Sequence, residues 1–159
     1  MEDRSADQSK YLSIVRSLMY LSLATRPDIT FSVTKLSSYN QNPITTHMTA
    51  AKRVLRYLKG TKNFALQFIS NHTPNLKLYG YTDADWAGNP TDRKSISGFI
   101  FFLGAPISWK SKKQSIIATL TTEAEYTAFL DISKQALWLR QLLQDIDLII
   151  NPSKTTEDL

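Results

Sequence analysis

The sequence contains no cysteine, which excludes a disulfide framework and any thiolate metal site and fits a reducing, intracellular setting, cytoplasmic or nuclear. No run of 18 apolar residues occurs, so nothing in it points to a membrane span or a membrane partner. Acidic residues are in the minority. Fourteen Asp and Glu stand against 19 Lys and Arg, for a net charge of +5 and a pI near 9.4. That balance suits a polyanionic partner bound through counterion release. Internal repeats and low-complexity tracts are also lacking. What is present is apolar bulk: 42% hydrophobic residues over 159 positions, enough for a packed core and against wholesale disorder. The opening MEDRSADQSK is polar, unlike a secretory signal, and residues 1–10 are expected to be a disordered lead-in.

Helical periodicity comes first along the chain. From Tyr11 to Ala24, Leu12, Ile14, Val15, Leu18, Met19, Leu21 and Leu23 surround most of the helical circumference, predicting a helix buried on most sides. Pro27 ends it, and Asp28 is a candidate cap for a second helix over Ile29–Tyr39. A third helix is expected from Thr45 to Lys59, closed by Gly60, with Met48, Ala51, Leu55 and Leu58 as its apolar stripe. Lys52, Arg53, Arg56 and Lys59 form a positive ladder on it. The ladder reads equally as a solvated face or as phosphate contacts.

After Gly60 the period shortens towards two. Phe64–Ile69 is a strand candidate, and the 70–75 loop is the expected boundary between a helical portion, 11–70, and an α+β portion, 75–150. Leu76–Asp83, Ser95–Leu103 and Ile107–Lys110 read as strands of a three-stranded antiparallel meander. Thr122 with Glu125 matches a capping box opening a long helix to about Asp145. The tail, 151–159, carries no periodic signal.

The chemistry-bearing residues are acidic. A strand places Asp83 and Asp85 on one face. At about 100° per residue, Ile132, Ala136, Leu139 and Leu143 fall within roughly 40° of Glu125, while Glu123 lies about 160° away. Glu125 is therefore expected on the sheet-facing stripe and Glu123 in solvent. A carboxylate on such a stripe is costly unless paired or holding a metal. Oxygen donors of this kind suit magnesium.

These residues resemble a known family. Tyr81-Thr82-Asp83-Ala84-Asp85-Trp86-Ala87-Gly88, Asp92-Arg93-Lys94-Ser95-Ile96-Ser97-Gly98, Ile107-Ser108-Trp109-Lys110-Ser111-Lys112-Lys113-Gln114 and Thr122-Glu123-Ala124-Glu125-Tyr126 resemble the ribonuclease H segment of copia-type LTR retrotransposon Pol polyproteins. Upstream, Ala24-Thr25-Arg26-Pro27-Asp28-Ile29 and Ala51-Lys52-Arg53-Val54-Leu55-Arg56-Tyr57-Leu58-Lys59-Gly60 look like the reverse transcriptase thumb or connection region. The resemblance covers about Tyr11 to Asp145. It implies an α+β chain: a helical segment followed by an incomplete ribonuclease H-like domain. The family activity is hydrolysis of the RNA strand of RNA–DNA hybrids, with two Mg2+ ions. Asp83 and Glu125 take the positions of catalytic, metal-holding carboxylates. Implied partners are an RNA–DNA hybrid or other nucleic acid and the rest of the polyprotein, in a virus-like particle for an intact element.

One part of the family pattern is not met. A third carboxylate is expected on a following strand, and Asp158 stands there only by position, with no apolar strand carrying it. A chain inactive by itself is the expectation. The rival readings are a non-catalytic nucleic-acid-binding remnant, using Lys52, Arg53, Arg56 and Lys59 with Lys110, Lys112 and Lys113, and an unrelated glycosyltransferase with Asp83 and Asp85 as its metal pair.

Overall fold

A computed structural model describes residues 4–68, 77–88 and 92–146. Helix α1 spans Gln8–Ala24, a 3-10 turn Pro27–Ile29, α2 Thr30–Ser37 and α3 Thr45–Gly60. Strands β1 (Tyr79–Asp85), β2 (Ile96–Leu103) and β3 (Ala105–Lys113) follow, and α4 covers Thr121–Asp145. The strands form an antiparallel sheet in the order β1-β2-β3, as the alternation of apolar and polar residues predicts. Gly104, at φ 76, is the single residue between β2 and β3 and needs the left-handed conformation that only glycine adopts without strain.

The lead-in is structured from Arg4 onwards, contrary to expectation. Ser5 bridges Ile44, the Ala6 amide donates to Pro43 at 2.9 Å, and Asp7 caps α1 through the Lys10 amide. These bonds satisfy backbone groups that would otherwise hold the segment in solvent. Helix α1 is also less enclosed than its composition implies. Tyr11, Val15, Leu18 and Ser22 are buried, yet Tyr20 and Leu23 are 78% and 59% exposed. The Tyr11 hydroxyl donates to the Leu36 carbonyl at 2.8 Å, and burial pushes its pKa up to about 12.

Asp28 is not a helix cap. It accepts two bonds from Arg26, at 3.0 and 2.7 Å, and one from the Tyr57 hydroxyl at 2.9 Å. Arg26, only 7% exposed, also donates to the carbonyl and hydroxyl of Thr61. The turn after α1 is thereby tied to the end of α3. On α3 the inward stripe is Met48, Ala51, Val54 and Leu58, with Leu55 42% exposed. No strand forms over residues 64–68; Phe64 and Phe68 are both 63% exposed. The 70–75 boundary and Ile69 lie outside the described residues.

The sheet has a helical layer on each face. Leu78, Phe99, Phe101 and Ile107 pack against Ile132, Ala136 and Leu139 of α4. On the other face, the Trp109 indole N–H donates to the Ser22 carbonyl at 2.7 Å, and the Thr34 hydroxyl donates to the Ser111 carbonyl at 3.2 Å. The sheet is thus the middle of three layers, packed through an apolar face against α4 and tied to the other helical layer by these hydrogen bonds.

Candidate active site

Register decides where each acidic side chain points. Asp83 pairs with Gly98 and Asp85 with Ile96, so both project from the face that carries Tyr81, Ile100 and Trp109. Thr82 and Ala84 project towards α4. Asp83 and Asp85 therefore share a face as the period-two spacing requires, and that face is the one away from α4.

Glu125 lies on the sheet side of α4 by angle, but it is solvent-exposed. The first turns of the helix are seated: Ala124 and Ala128 are buried, and the Gln114 side chain donates to the Ala124 carbonyl at 2.9 Å. The buried stripe opens at Ala124, and Glu125 stands beside it. The desolvation argument for a paired carboxylate accordingly does not apply there. The expected capping box does not form either. Helix α4 starts at Thr121 with Leu120 as its cap, which puts Glu123 at the third helical position. Its carboxylate accepts from the Thr119 amide at 2.7 Å and the Thr119 hydroxyl at 2.9 Å, and those bonds hold it below the usual carboxylate pKa range. Glu125 is left out of the cap.

What brings the two candidate residues together is the open edge of the sheet. Strand β1 has no partner on its outer side among the described residues. An open cavity of about 380 Å3 lies along that edge, lined by Thr82, Asp83 and Ala84 of β1 and by Thr122, Glu125, Tyr126, Ala128 and Phe129 of α4. Asp83 also borders a second cleft, on its own face of the sheet. As a residue of the edge strand it is accessible from both. Its Oδ1 accepts from the Ala84 amide at 2.9 Å, leaving the other oxygen for a further contact. Asp85 lies 4.0 Å from the Lys35 ammonium. No cluster of three or more potential metal-ligating side chains occurs among the described residues, and Asp158 lies outside them.

The basic residues fall into two sets. Lys52, Arg53, Arg56 and Lys59 are exposed on α3, and none of them forms an ion pair among the described residues. Strand alternation turns Lys110 and Lys112 towards the α4 side of β3, whereas the helical layer containing α3 covers the opposite face. Lys113 is held by Asp92 at 2.6 Å. A single continuous basic surface from all seven is therefore not what the fold builds. His47 closes the start of α3 by accepting from the Ile44 amide at 3.3 Å, and it stacks on Tyr39 at 3.8 Å between ring centres. No helix among the described residues is long and apolar enough to cross a membrane.

No protein-family model matches the chain, and no solved structure matches it. Curated proteins do. The chain is 47% identical over 130 residues to the secreted RxLR effector protein 161 of Plasmopara viticola, covering 81% of this chain and 90% of that protein. It is 47% identical over 139 residues to the retrovirus-related Pol polyprotein from transposon TNT 1-94 of Nicotiana tabacum, covering 87% of this chain. It is 43% identical over 143 residues to the corresponding polyprotein from transposon RE1 of Arabidopsis thaliana, covering 89%. The chain spans about 10% of the length of each of these two polyproteins. The similarity to the two polyproteins runs over 87–89% of this chain, and the chain belongs to the copia-type retrotransposon Pol polyprotein family.

Proposed function

We propose that this chain is a retrotransposon-derived segment carrying part of a ribonuclease H-type site, in which Asp83 and Glu125 hold a divalent cation for hydrolysis of the RNA strand of an RNA–DNA hybrid. The observation that carries the reading is that Asp83 and Glu125 both line one open cavity at the unpaired edge of β1, Asp83 reaching it as an edge-strand residue whose side chain leaves the strand on the face away from α4. The residues fit a magnesium ion in kind: two carboxylates, with room for retained waters, are a common donor set for it. When bound, such an ion would polarise a phosphoryl oxygen and help generate a hydroxide nucleophile. A two-ion site, by contrast, needs more oxygen donors than Asp83 and Glu125 supply. This chain alone should therefore bind magnesium weakly and position water poorly.

The chain's own contributions can be separated. The β1 ladder fixes the Asp83 backbone, and the Ala84 amide orients its carboxylate. The Glu123 cap fixes the start of α4, which places Glu125 across the cavity. Tyr126 and Phe129 give the cavity an apolar wall that limits water on one side.

Non-catalytic nucleic-acid binding is the second reading, favoured by the exposed α3 residues Lys52, Arg53, Arg56 and Lys59. Their unpaired charges can neutralise phosphates, and each phosphate neutralised steepens the salt dependence of binding. A labelled RNA–DNA hybrid tests the partner that the two readings share. The account expects salt-dependent binding by this chain with no magnesium-dependent turnover. Turnover that Asp83→Asn abolishes would refute the weak-site argument, and the absence of any binding at low salt would remove nucleic acid as a partner.

A further inference from the structure

Asp83, Gly98 and Ser111 stand opposite one another in a row across the three strands. Gly98 has no side chain, so the row has a gap at its centre, with a carboxylate on one side and a hydroxyl on the other. The neighbouring row is Tyr81, Ile100 and Trp109. Above them Pro27, Thr30 and Phe31 leave an open cleft of about 340 Å3 between the helical layer and the sheet. The Ser111 hydroxyl oxygen has no hydrogen-bond partner among the described residues and is shut off from solvent, an arrangement that is costly and that a ligand in the cleft relieves when the hydroxyl turns towards it. Trp109 commits its N–H to Ser22, so only its apolar ring faces the cleft.

We propose that this cleft binds an unpaired nucleobase, stacked on Tyr81 and Trp109 with its polar edge towards Asp83 and Ser111. Aromatic walls hold bases of any sequence through their π faces. A carboxylate accepts from ring or exocyclic N–H groups of a base, and a hydroxyl can donate or accept beside it. The volume falls in the range of small-ligand sites, roughly 300–1,000 Å3. At the mouth, the Lys35 ammonium lies 5.7 Å from the centre of the Phe31 ring, where it can meet the phosphate of a nucleotide. The site needs no cation, and its cleft shares only Thr82 and Asp83 with the cavity of the proposed hydrolytic one, so either can fail without the other.

Gly98 supplies the test. A Cβ built there meets nothing nearer than the Lys110 carbonyl oxygen at 3.6 Å, so the backbone accepts a side chain, while the branches of valine would fill the gap. Guanosine monophosphate is titrated into the isotopically labelled chain in EDTA, and the three indole N–H signals are followed by NMR. The expected result is a saturable shift of the Trp109 signal with that of Trp138 unmoved, weakened at least about tenfold by Gly98→Val. Ribose 5-phosphate should shift neither. The proposal is overturned if the nucleotide leaves Trp109 unmoved, if ribose 5-phosphate acts as well as the nucleotide, or if the folded Gly98→Val chain binds as the parent does. Should valine prevent folding, Gly98→Ala decides in its place.

Discussion

Asp83→Asn should abolish hybrid cleavage when this chain replaces the matching segment of the tobacco TNT 1-94 polyprotein. That setting restores the rest of a polyprotein around the segment, so the loss is read against the unsubstituted chimera. Groups that merely orient a metal ligand typically cost 10- to 100-fold when mutated, and a direct ligand should cost at least about a hundredfold. Glu125→Gln should do the same. Glu123→Gln should leave turnover within a fewfold, because Glu123 caps α4 through Thr119 and faces away from the cavity. Equal losses from both glutamines, or full activity with Asp83→Asn, would contradict the assignment of roles.

Arg26→Ala should lower the stability of the chain by about 2–3 kcal/mol. Breaking a fully buried ion pair costs roughly 3–5 kcal/mol, and the figure is discounted because the Asp28 side chain is 33% exposed. A thermal midpoint lowered by about 5–10 °C is the corresponding readout for a chain of this size. Arg26→Lys should not restore it, since one ammonium cannot reproduce the paired bonds to Asp28 together with those to Thr61. The same network sets an acid limit. Hydrogen bonding from Arg26 holds the Asp28 carboxyl below its ordinary value of 3.8. A depressed folded pKa contributes stability that is present above the unfolded pKa and is lost as pH falls through the folded one. The contribution should thus be complete near neutrality, begin to fall below about pH 4 and be gone once the pH is below the depressed folded pKa. Asp28→Asn should flatten that part of the stability–pH profile. An unchanged profile would show that the ion pair adds nothing.

Local pattern revealed the elements whose partners are close in sequence. The meander was legible because β2 is rich in Ile and Phe and is joined to β3 through one glycine. The placement of Glu125 was not, for the buried side of α4 opens at Ala124 and Ala128 while Glu125 is exposed, and spacing alone does not say which edge of an apolar stripe the sheet covers. The cap of α4 was misread for a similar reason: Thr122 and Glu125 satisfy the spacing of a capping box, but Glu123 and Thr119 satisfy the geometry. Phe64 to Phe68 alternates like a strand and finds no ladder partner, so propensity alone produced a false strand. The contacts joining the layers, Trp109 to Ser22 and Thr34 to Ser111, span 87 and 77 residues, and no local signal marks them. The same distance hid the side of the sheet on which Asp83 lies. Its fellowship with Asp85 follows from period two, but the choice of face depends on which helix packs where.

The central proposition is that Asp83 and Glu125 meet one cation at the β1 edge. Titrating Mn2+ into the isotopically labelled chain and reading paramagnetic line broadening tests it most directly. The account predicts early, joint broadening at Asp83 and Ala84 on the strand and at Glu125 and Tyr126 on the helix, reversed by excess Mg2+. Broadening confined to the strand, or absent from both elements while other acidic residues respond, would contradict it.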